Sequence, residues 1–168
     1  MYPEMVTLII PIDSYLKKYL IKKYGSHHMV SRDSWLGRYF IEILDRQYKK
    51  KNISLKKSDT YTFVIPYYVI KEVGLDLPTA KMKSLAVMIE QIFYNDLYTY
   101  IEVSMGNQLS FINSKSKNFN EQNAYKATEQ FLSSFDISED ELKLDSVYKR
   151  FYRDRISDKS KKQKKQIA

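Results

Sequence analysis

The residues best suited to chemistry lie near the C-terminus, in the segment SVYKRFYRDR at positions 146–155, where aromatic and basic side chains alternate. A lysine or arginine pairs with phosphate, and the planar guanidinium of arginine can also donate two hydrogen bonds to a base edge. On a helical wheel at about 100° per residue, Lys149, Tyr152 and Arg153 share one side and Arg150 lies on its flank. The opposite side is apolar, so the spacing predicts an amphipathic helix with a cationic outer face.

Positive charge is concentrated in the same region. The formal net charge is +8, and positions 143–168 hold ten Lys or Arg against three acids, which leaves +1 for positions 1–142. Concentrated charge attracts polyanions, so we predict DNA as the partner. The predicted nucleic-acid-binding residues are Lys149, Arg150, Tyr152, Arg153, Lys159, Lys161, Lys162, Lys164 and Lys165. Two alternatives stay open: the basic end only keeps the chain soluble, or the helix packs inside an assembly with its arginines paired to acids.

The acids that precede this helix favour helix starts. Ser138 followed by Glu141 matches a capping box, which predicts a short helix ending near Leu142. Asp145 is the predicted cap of the last helix, where its charge would complement the exposed N–H groups. A further helix is predicted from Asn120, so three helices with a basic third one give the pattern of a helix-turn-helix unit. The predicted inward residues are Ala124, Thr128, Phe131, Leu132, Phe135, Leu144, Val147, Tyr148 and Phe151.

Two stretches of the N-terminal half are alike. VTLIIPIDSYLKKYLIKKYG (6–25) and YTFVIPYYVIKEVG (61–74) each show a β-prone run ending in Ile-Pro, then a tyrosine-bearing apolar pattern, then glycine. Proline suits the first turn of a helix, and glycine suits the left-handed position just after a helix. Each stretch therefore predicts a strand, a helix and a stop.

A second helix is predicted after each glycine. The polar loop SHHMVSRDS leads to WLGRYFIEILDRQY, with Asp33 or Ser34 as the cap. A longer helix follows Gly74, capped near Asp76 or Thr79. The predicted inner faces consist of Trp35, Leu36, Tyr39, Phe40, Ile43 and Leu44 in one helix and Leu85, Met88, Ile89, Ile92 and Phe93 in the other.

This order of strand, proline, helix, glycine and helix resembles the ribbon-helix-helix fold of small DNA-binding repressors, over roughly 5–48 and 60–103. The resemblance implies a single-chain pseudo-dimer whose strands pair antiparallel. It implies inward residues Val6, Leu8, Ile10, Tyr61, Phe63 and Ile65, and outward residues Met5, Thr7, Ile9, Thr60, Thr62 and Val64. Ile9 and Val64 have no side-chain donor for reading base edges, so we expect protein rather than DNA to cover the outer face.

The expected fold class is α+β and mostly helical, with two strand-Pro-helix-helix repeats sharing a small antiparallel ribbon and a C-terminal three-helix unit. The expected segments are a tandem core at 1–104, a polar linker at 105–119, the helix-turn-helix-like unit at 120–157 and a disordered basic tail at 158–168. The segment FLSSFDISEDELKLDSVYKRFYRDR also resembles the end of small uncharacterised proteins of prophages and other mobile elements, which implies a regulator of such an element.

Several kinds of site are not expected. The chain has no cysteine and four glycines, and it shows no nucleophile motif or phosphate-binding glycine loop. The adjacent histidines His27 and His28 lack the neighbours that a metal shell needs, and core packing of Tyr15, Tyr19 and Tyr39 is favoured over base stacking. We predict no enzymatic activity, no cofactor, no membrane span and no secretory signal.

The leading prediction is a non-enzymatic DNA-binding regulatory or accessory protein of a phage or mobile element, in the cytoplasm of a bacterial host cell. A homodimer or a larger assembly is left open. The alternative function is a virion structural or assembly protein whose basic C-terminal end contacts nucleic acid or another subunit.

Overall fold

The computed structural model of the chain describes residues 5–45, 57–74, 78–109 and 117–166. At 45, 106–109, 117–123 and 156–166 the description covers the backbone only. Within these ranges the chain is α+β and mostly helical, as predicted, with six helices and a three-stranded mixed sheet. In chain order the elements are β1 (Met5–Ile12), α1 (Ser14–Tyr24), β2 (His27–Met29), α2 (Trp35–Asp45), β3 (Asp59–Pro66), α3 (Tyr67–Val73), α4 (Thr79–Leu109), α5 (Lys117–Ser134) and α6 (Leu144–Gln166).

The sheet is built around β3, in the order β1-β3-β2. β1 pairs antiparallel with β3, from Met5 opposite Pro66 to Ile12 opposite Asp59. Leu8 lies directly opposite Phe63, and each of these residues stands three positions before a proline. The two Ile-Pro strands are therefore paired about a local two-fold relation.

Side chains alternate along both long strands as the sequence predicts. Ile10, Phe63 and Ile65 are fully buried, whereas Met5 and Ile9 are 45% and 56% exposed. Because successive strand residues point to opposite faces, one face of the sheet packs in the core and the other carries apolar side chains at the surface.

A third strand replaces part of the predicted polar loop. β2 pairs parallel with β3, with His28 opposite Phe63, and Val30 N–H donates to the carbonyl of Val64 at 2.9 Å. His28 is buried, and its ring makes edge contacts with Tyr24 and Phe63. The buried ring holds this segment against the sheet as a strand, although the segment's polar composition predicts a loop.

The predicted roles of the prolines and glycines at the ends of strands and helices have different outcomes. Pro66 ends β3 and α3 begins at the next residue, but Pro11 lies inside β1 and α1 begins only at Ser14. The predicted role of Pro11 in the first helical turn is therefore wrong. Gly25 and Gly74 have φ angles of 90° and 76°, and their amides donate to carbonyls four residues back at 2.8 Å. These two helix stops are confirmed.

The predicted inner faces of α2 and α4 are largely confirmed. In α4 all five predicted side chains are buried, and in α2 the buried ones are Leu36, Phe40, Ile43 and Leu44. Trp35 is wrong, because it is 52% exposed and contacts the half-buried ring of Tyr39 at 5.8 Å. Ser34 is the cap, since its Oγ accepts the amide of Gly37 at 2.9 Å.

The chain divides into two compact units, 1–93 and 94–168, and α4 runs through the division. In the first unit, Tyr15 and Tyr19 are buried and contact the ring of Phe93 at 5.2 and 5.3 Å. The second unit holds the end of α4, α5 and α6. No helix in the ranges given above is long and apolar enough to cross a membrane.

The second unit differs in detail from the predicted segments. α4 continues to Leu109 and α5 begins at Lys117, so part of the predicted linker 105–119 is helical. Residues 138–142 form turns rather than the predicted short helix. α6 runs to Gln166, which covers most of the predicted tail 158–168. The division into four segments stays a prediction.

Candidate nucleic-acid interface

The position of α6 is fixed by its apolar face. Leu144, Val147 and Phe151 are buried, with Phe151 only 2% exposed. Full burial of each such side chain contributes about 1.5–3 kcal/mol. The predicted inner face of this helix is therefore confirmed at these three residues.

A tight turn after α5 directs the chain into α6. Asp136 has a φ angle of 56°, and its amide donates to the carbonyl of Ser133 at 3.0 Å. The amide of Ile137 donates to the carbonyl of Leu132 at 3.0 Å, and Ile137 is buried. This is the Schellman arrangement, with aspartate in the position that glycine usually holds. Aspartate tolerates the left-handed region better than most residues.

The first turn of α6 is capped by a residue that sequence reasoning missed. The carboxylate of Glu139 accepts the backbone N–H of Leu144 at 3.1 Å. Asp145, the predicted cap, lies in the first turn of the helix instead. Its carboxylate still suits the positive end of the helix dipole. The spacing of the acids predicts the start of α6 correctly. The geometry of the turn, however, brings Glu139 rather than Asp145 to the free amide of Leu144.

Half of the predicted capping box is present although no helix follows it. The backbone N–H of Ser138 donates to the Glu141 carboxylate at 3.0 Å, and the Ser138 hydroxyl donates to the same oxygen at 3.1 Å. The amides of Glu141 and Leu142 both donate to the carbonyl of Ser138. The segment therefore forms a single turn, and α6 starts two residues after Leu142.

A tyrosine of α4 holds the middle of α6. The Tyr98 hydroxyl donates to Asp154 Oδ2 at 2.8 Å, and its ring makes an edge contact with Phe151 at 5.2 Å. Burial of the hydroxyl, followed by the hydrogen bond to the Asp154 carboxylate, raises the pKa of Tyr98 above its usual range. The hydroxyl therefore stays protonated and remains a donor at neutral pH.

The side chain of Arg150 contacts other residues of the second unit. Its guanidinium lies 3.7 Å from the centre of the Tyr94 ring on α4, and its Nε is 4.0 Å from Asp154. A cation over an aromatic face contributes about 0.5–1 kcal/mol at exposed sites. The structure thus places Arg150 in the packing between α4 and α6, away from the other predicted residues of this helix.

The outer face of α6 forms an open groove of about 600 Å³, lined by Ser146, Tyr148, Lys149, Tyr152 and Arg153. Three of the predicted site residues are therefore brought together. Lys149 and Arg153 are exposed, and Tyr152 is half-buried. The ammonium group of Lys149 pairs with Asp145 at 2.7 Å, with the two side chains 68% and 66% exposed. Within the described part of the chain, Arg153 has no ion-pair partner.

Aromatic rings continue the groove towards α5. The ring centres of Tyr148 and Tyr152 are 4.8 Å apart, and Tyr148 also contacts Tyr125 of α5 at 5.4 Å. Tyr125 is 40% exposed. Sequence reasoning missed Tyr125 and assigned Tyr148 to the core. The signal that could have found them is the i, i+4 spacing of Tyr148 and Tyr152, which places two rings side by side on a helix.

The five tail lysines lie on α6 by backbone position, between Ile156 and Gln166. Their side chains are outside the described residues, so their part in the site stays a prediction. They are Lys159, Lys161, Lys162, Lys164 and Lys165.

The histidine pair of the first unit is part of the packing. His28 Nε2 lies 3.3 Å from the Ser34 hydroxyl, and burial lowers the pKa of His28. His27 is exposed on β2. Among the side chains that the structure describes, no group of three or more His, Cys, Asp or Glu could hold a metal ion.

The geometry of the outer face of α6 therefore combines two exposed cations with a row of tyrosine rings, an arrangement suited to a phosphate-bearing polymer. Comparison of the chain with protein-family models, curated proteins and solved structures gave no match.

Proposed function

We propose that the protein is a non-enzymatic DNA-binding protein that serves as a regulatory or accessory factor of a phage or mobile element. The nucleic acid lies on the outer face of α6. The observation that carries this proposal is the exposure of Lys149 and Arg153 on one groove while the opposite face of the helix is buried. Many DNA-binding helices pack on their domain through an apolar face and present a cationic face to the DNA.

The charge of the C-terminal end sets the expected strength of binding. If about five cations meet phosphates, the slope of log affinity against log salt is about −4 to −5. Affinity then falls roughly several hundredfold between about 50 and 200 mM salt. This term is independent of sequence, so discrimination between sequences has to come from contacts with the bases.

The finer architecture is also part of the proposal. We infer a tandem ribbon-helix-helix-like core followed by a helix-turn-helix-like end, and the direct opposition of Leu8 and Phe63 supports the two-fold pairing of the ribbon. The exposed side chains of Met5 and Ile9 supply no hydrogen-bond donors for base edges. The core then provides the scaffold, and α6 holds the nucleic acid.

A double variant tests the proposal in the full-length chain. Lys149→Ala with Arg153→Ala removes the two exposed cations of the groove. Retention of random-sequence duplex DNA at 50 and 300 mM salt is expected to weaken. The salt slope should become shallower by about 2.

The matched control removes the same charge elsewhere. Arg38→Ala with Lys83→Ala affects exposed residues of α2 and α4, and duplex binding should stay near that of the original chain. Equal losses in the two double variants would refute the assignment to α6. Thermal melting of both variants shows whether the fold is intact.

The second candidate function is a virion structural or assembly protein. The observation that favours it is the apolar outer face of the sheet, where Met5, Ile9 and Met29 are 45%, 56% and 49% exposed. Exposed apolar faces of this kind mark protein contacts more often than nucleic-acid contacts. Absence of duplex and single-strand binding by the full chain, together with an Ile9→Lys variant that changes its association state, would favour this function.

A further inference from the structure

We propose that the groove on α6 binds unpaired bases, so that its preferred ligand is single-stranded nucleic acid rather than duplex. This inference rests on the proposed function and names the ligand of the same surface. It is carried by the juxtaposition of tyrosine rings and exposed cations in one open groove.

The two tyrosines that line the groove form a row with Tyr125, which lies beside it. Tyr125, Tyr148 and Tyr152 follow one another at centre-to-centre distances of 5.4 and 4.8 Å. The two interplanar angles are 70° and 61°, and Tyr152 also meets the Phe151 ring at 5.4 Å and 83°, so all three contacts are edge contacts rather than parallel stacks. Base stacking on an aromatic side chain uses such a face and tolerates every base.

The exposure of these rings differs from that of core rings nearby. Phe151 is 2% exposed and Tyr125 is 40% exposed, while Tyr148 and Tyr152 are half-buried. Phenol rings at a surface keep an apolar face beside a hydroxyl that water can reach. A ring that served only to fill the core would be expected to resemble Phe151.

Two cations share the groove with the tyrosine rings. Lys149 and Arg153 line the same groove as Tyr148 and Tyr152, and each cation is adjacent in sequence to one of these tyrosines. Cations beside stacking rings suit a single strand, which offers both phosphates and unpaired bases. The groove is open to solvent, so an unpaired base can reach the rings that line it.

A duplex fits this lining less well. Its base faces are stacked inside, and the grooves present only base edges, which are read by groups such as guanidinium and amide. Of the described side chains that line the groove, only Arg153 offers such a planar pair of donors. The rings would then contribute little, and binding would come from phosphate contacts and from Arg153.

The test compares one labelled 20-nucleotide single strand with its own duplex by fluorescence anisotropy on the full-length chain. The single strand is expected to bind more tightly. Tyr152→Leu should weaken single-strand binding by at least about fivefold, the lower end of a base–aromatic stack, and leave duplex binding nearly unchanged. Tyr152→Phe should bind as the original chain does, and Tyr68→Leu, at an exposed tyrosine of α3, is the matched control.

A second measurement does not depend on how well a variant folds. Photocrosslinking of a 5-iodouracil-substituted single strand to the unaltered chain should attach at Tyr148 or Tyr152. Crosslinks confined to other residues, or tighter binding of duplex with no effect of Tyr152→Leu, would overturn this inference and leave the proposed function standing. Failure of both the strand and the duplex to bind would overturn the proposed function itself.

Discussion

Asp145 offers a prediction in which binding and stability change in opposite directions. Its carboxylate lies 2.7 Å from the ammonium of Lys149 and stands at the edge of the groove that we assign to nucleic acid. Asp145→Asn keeps the size of the side chain and removes its charge. We expect tighter binding of nucleic acid together with a slightly less stable fold.

The magnitude follows from the geometry of the ion pair. A phosphate bound on the far side of the Lys149 ammonium would lie roughly 6 Å from the carboxylate, since each charge-assisted contact spans about 2.8 Å. Repulsion between two unit charges at about 6 Å in water is about 0.7 kcal/mol. Release of Lys149 from an exposed pair adds about 0.2–0.5 kcal/mol. Affinity should therefore rise about five- to eightfold.

Stability should move the other way by a similar amount. The exposed i, i+4 pair contributes about 0.3–0.5 kcal/mol, and an acid in the first helical turn contributes about 0.3–1 kcal/mol. Because both partners are well exposed, solvent screens these terms, and we expect the free energy of unfolding to fall by about 0.5–1 kcal/mol.

Fluorescence anisotropy with single-stranded and duplex probes measures the affinity, and urea denaturation measures the free energy of unfolding. Glu102→Gln is the matched control, since it removes one exposed carboxylate from α4 and should leave affinity almost unchanged. An unchanged or weaker affinity of Asp145→Asn would refute the placement of phosphate beside Lys149.

Three further predictions concern the fold. Gly37→Ala should lower the free energy of unfolding, measured by urea denaturation, by about 1–3 kcal/mol. The reason is that the added Cβ would lie 2.0 Å from the Ser31 carbonyl oxygen. A gain of about 1 kcal/mol, as helix propensity alone predicts, would contradict this. Burial lowers the pKa of His28, so the unfolded chain takes up its proton first, and stability should fall as the pH drops below about 6.5. The urea midpoints at pH 7.5 and 5.5 should differ less in His28→Gln than in His27→Gln; an equal difference would exclude His28 as the source. Phe151→Ala should lower the free energy of unfolding by about 3–5 kcal/mol. It should also abolish nucleic-acid binding when thermal melting shows that the second unit is unfolded. Near-normal melting would show that α6 does not depend on this ring.

The parts of the fold that sequence predicts are those set by local backbone chemistry and by short periodicities. Gly25 and Gly74 end helices because positive φ angles are accessible to glycine at little cost, and both are visible as single letters. The alternation of Ile10 with Ile9 follows from the two-residue period of a strand. Neither inference requires knowledge of a distant neighbour.

The parts that sequence does not predict depend on contacts between distant residues. β2 exists because three residues meet β3, some 35 positions along the chain, and a three-residue strand carries no period of its own. Arg150 is cationic and close to Arg153 in sequence, yet the ring of Tyr94 on another helix takes its guanidinium. The wheel shows which side of α6 a residue occupies, but it does not show which neighbour stands there.

The two halves of the paired ribbon occupy equivalent positions, but their surroundings differ. β2 flanks β3, and α1 spans 11 residues where α3 spans 7. The outward side chains, such as Thr7, Thr62 and Ile9, carry no charge in either half. Positions 1–142 together hold a net charge of only +1, so the ribbon has little attraction for a polyanion. Under the proposed function, nucleic-acid attraction and scaffold reside in different segments, and substitutions on the outer sheet face that preserve the fold should leave nucleic-acid affinity unchanged.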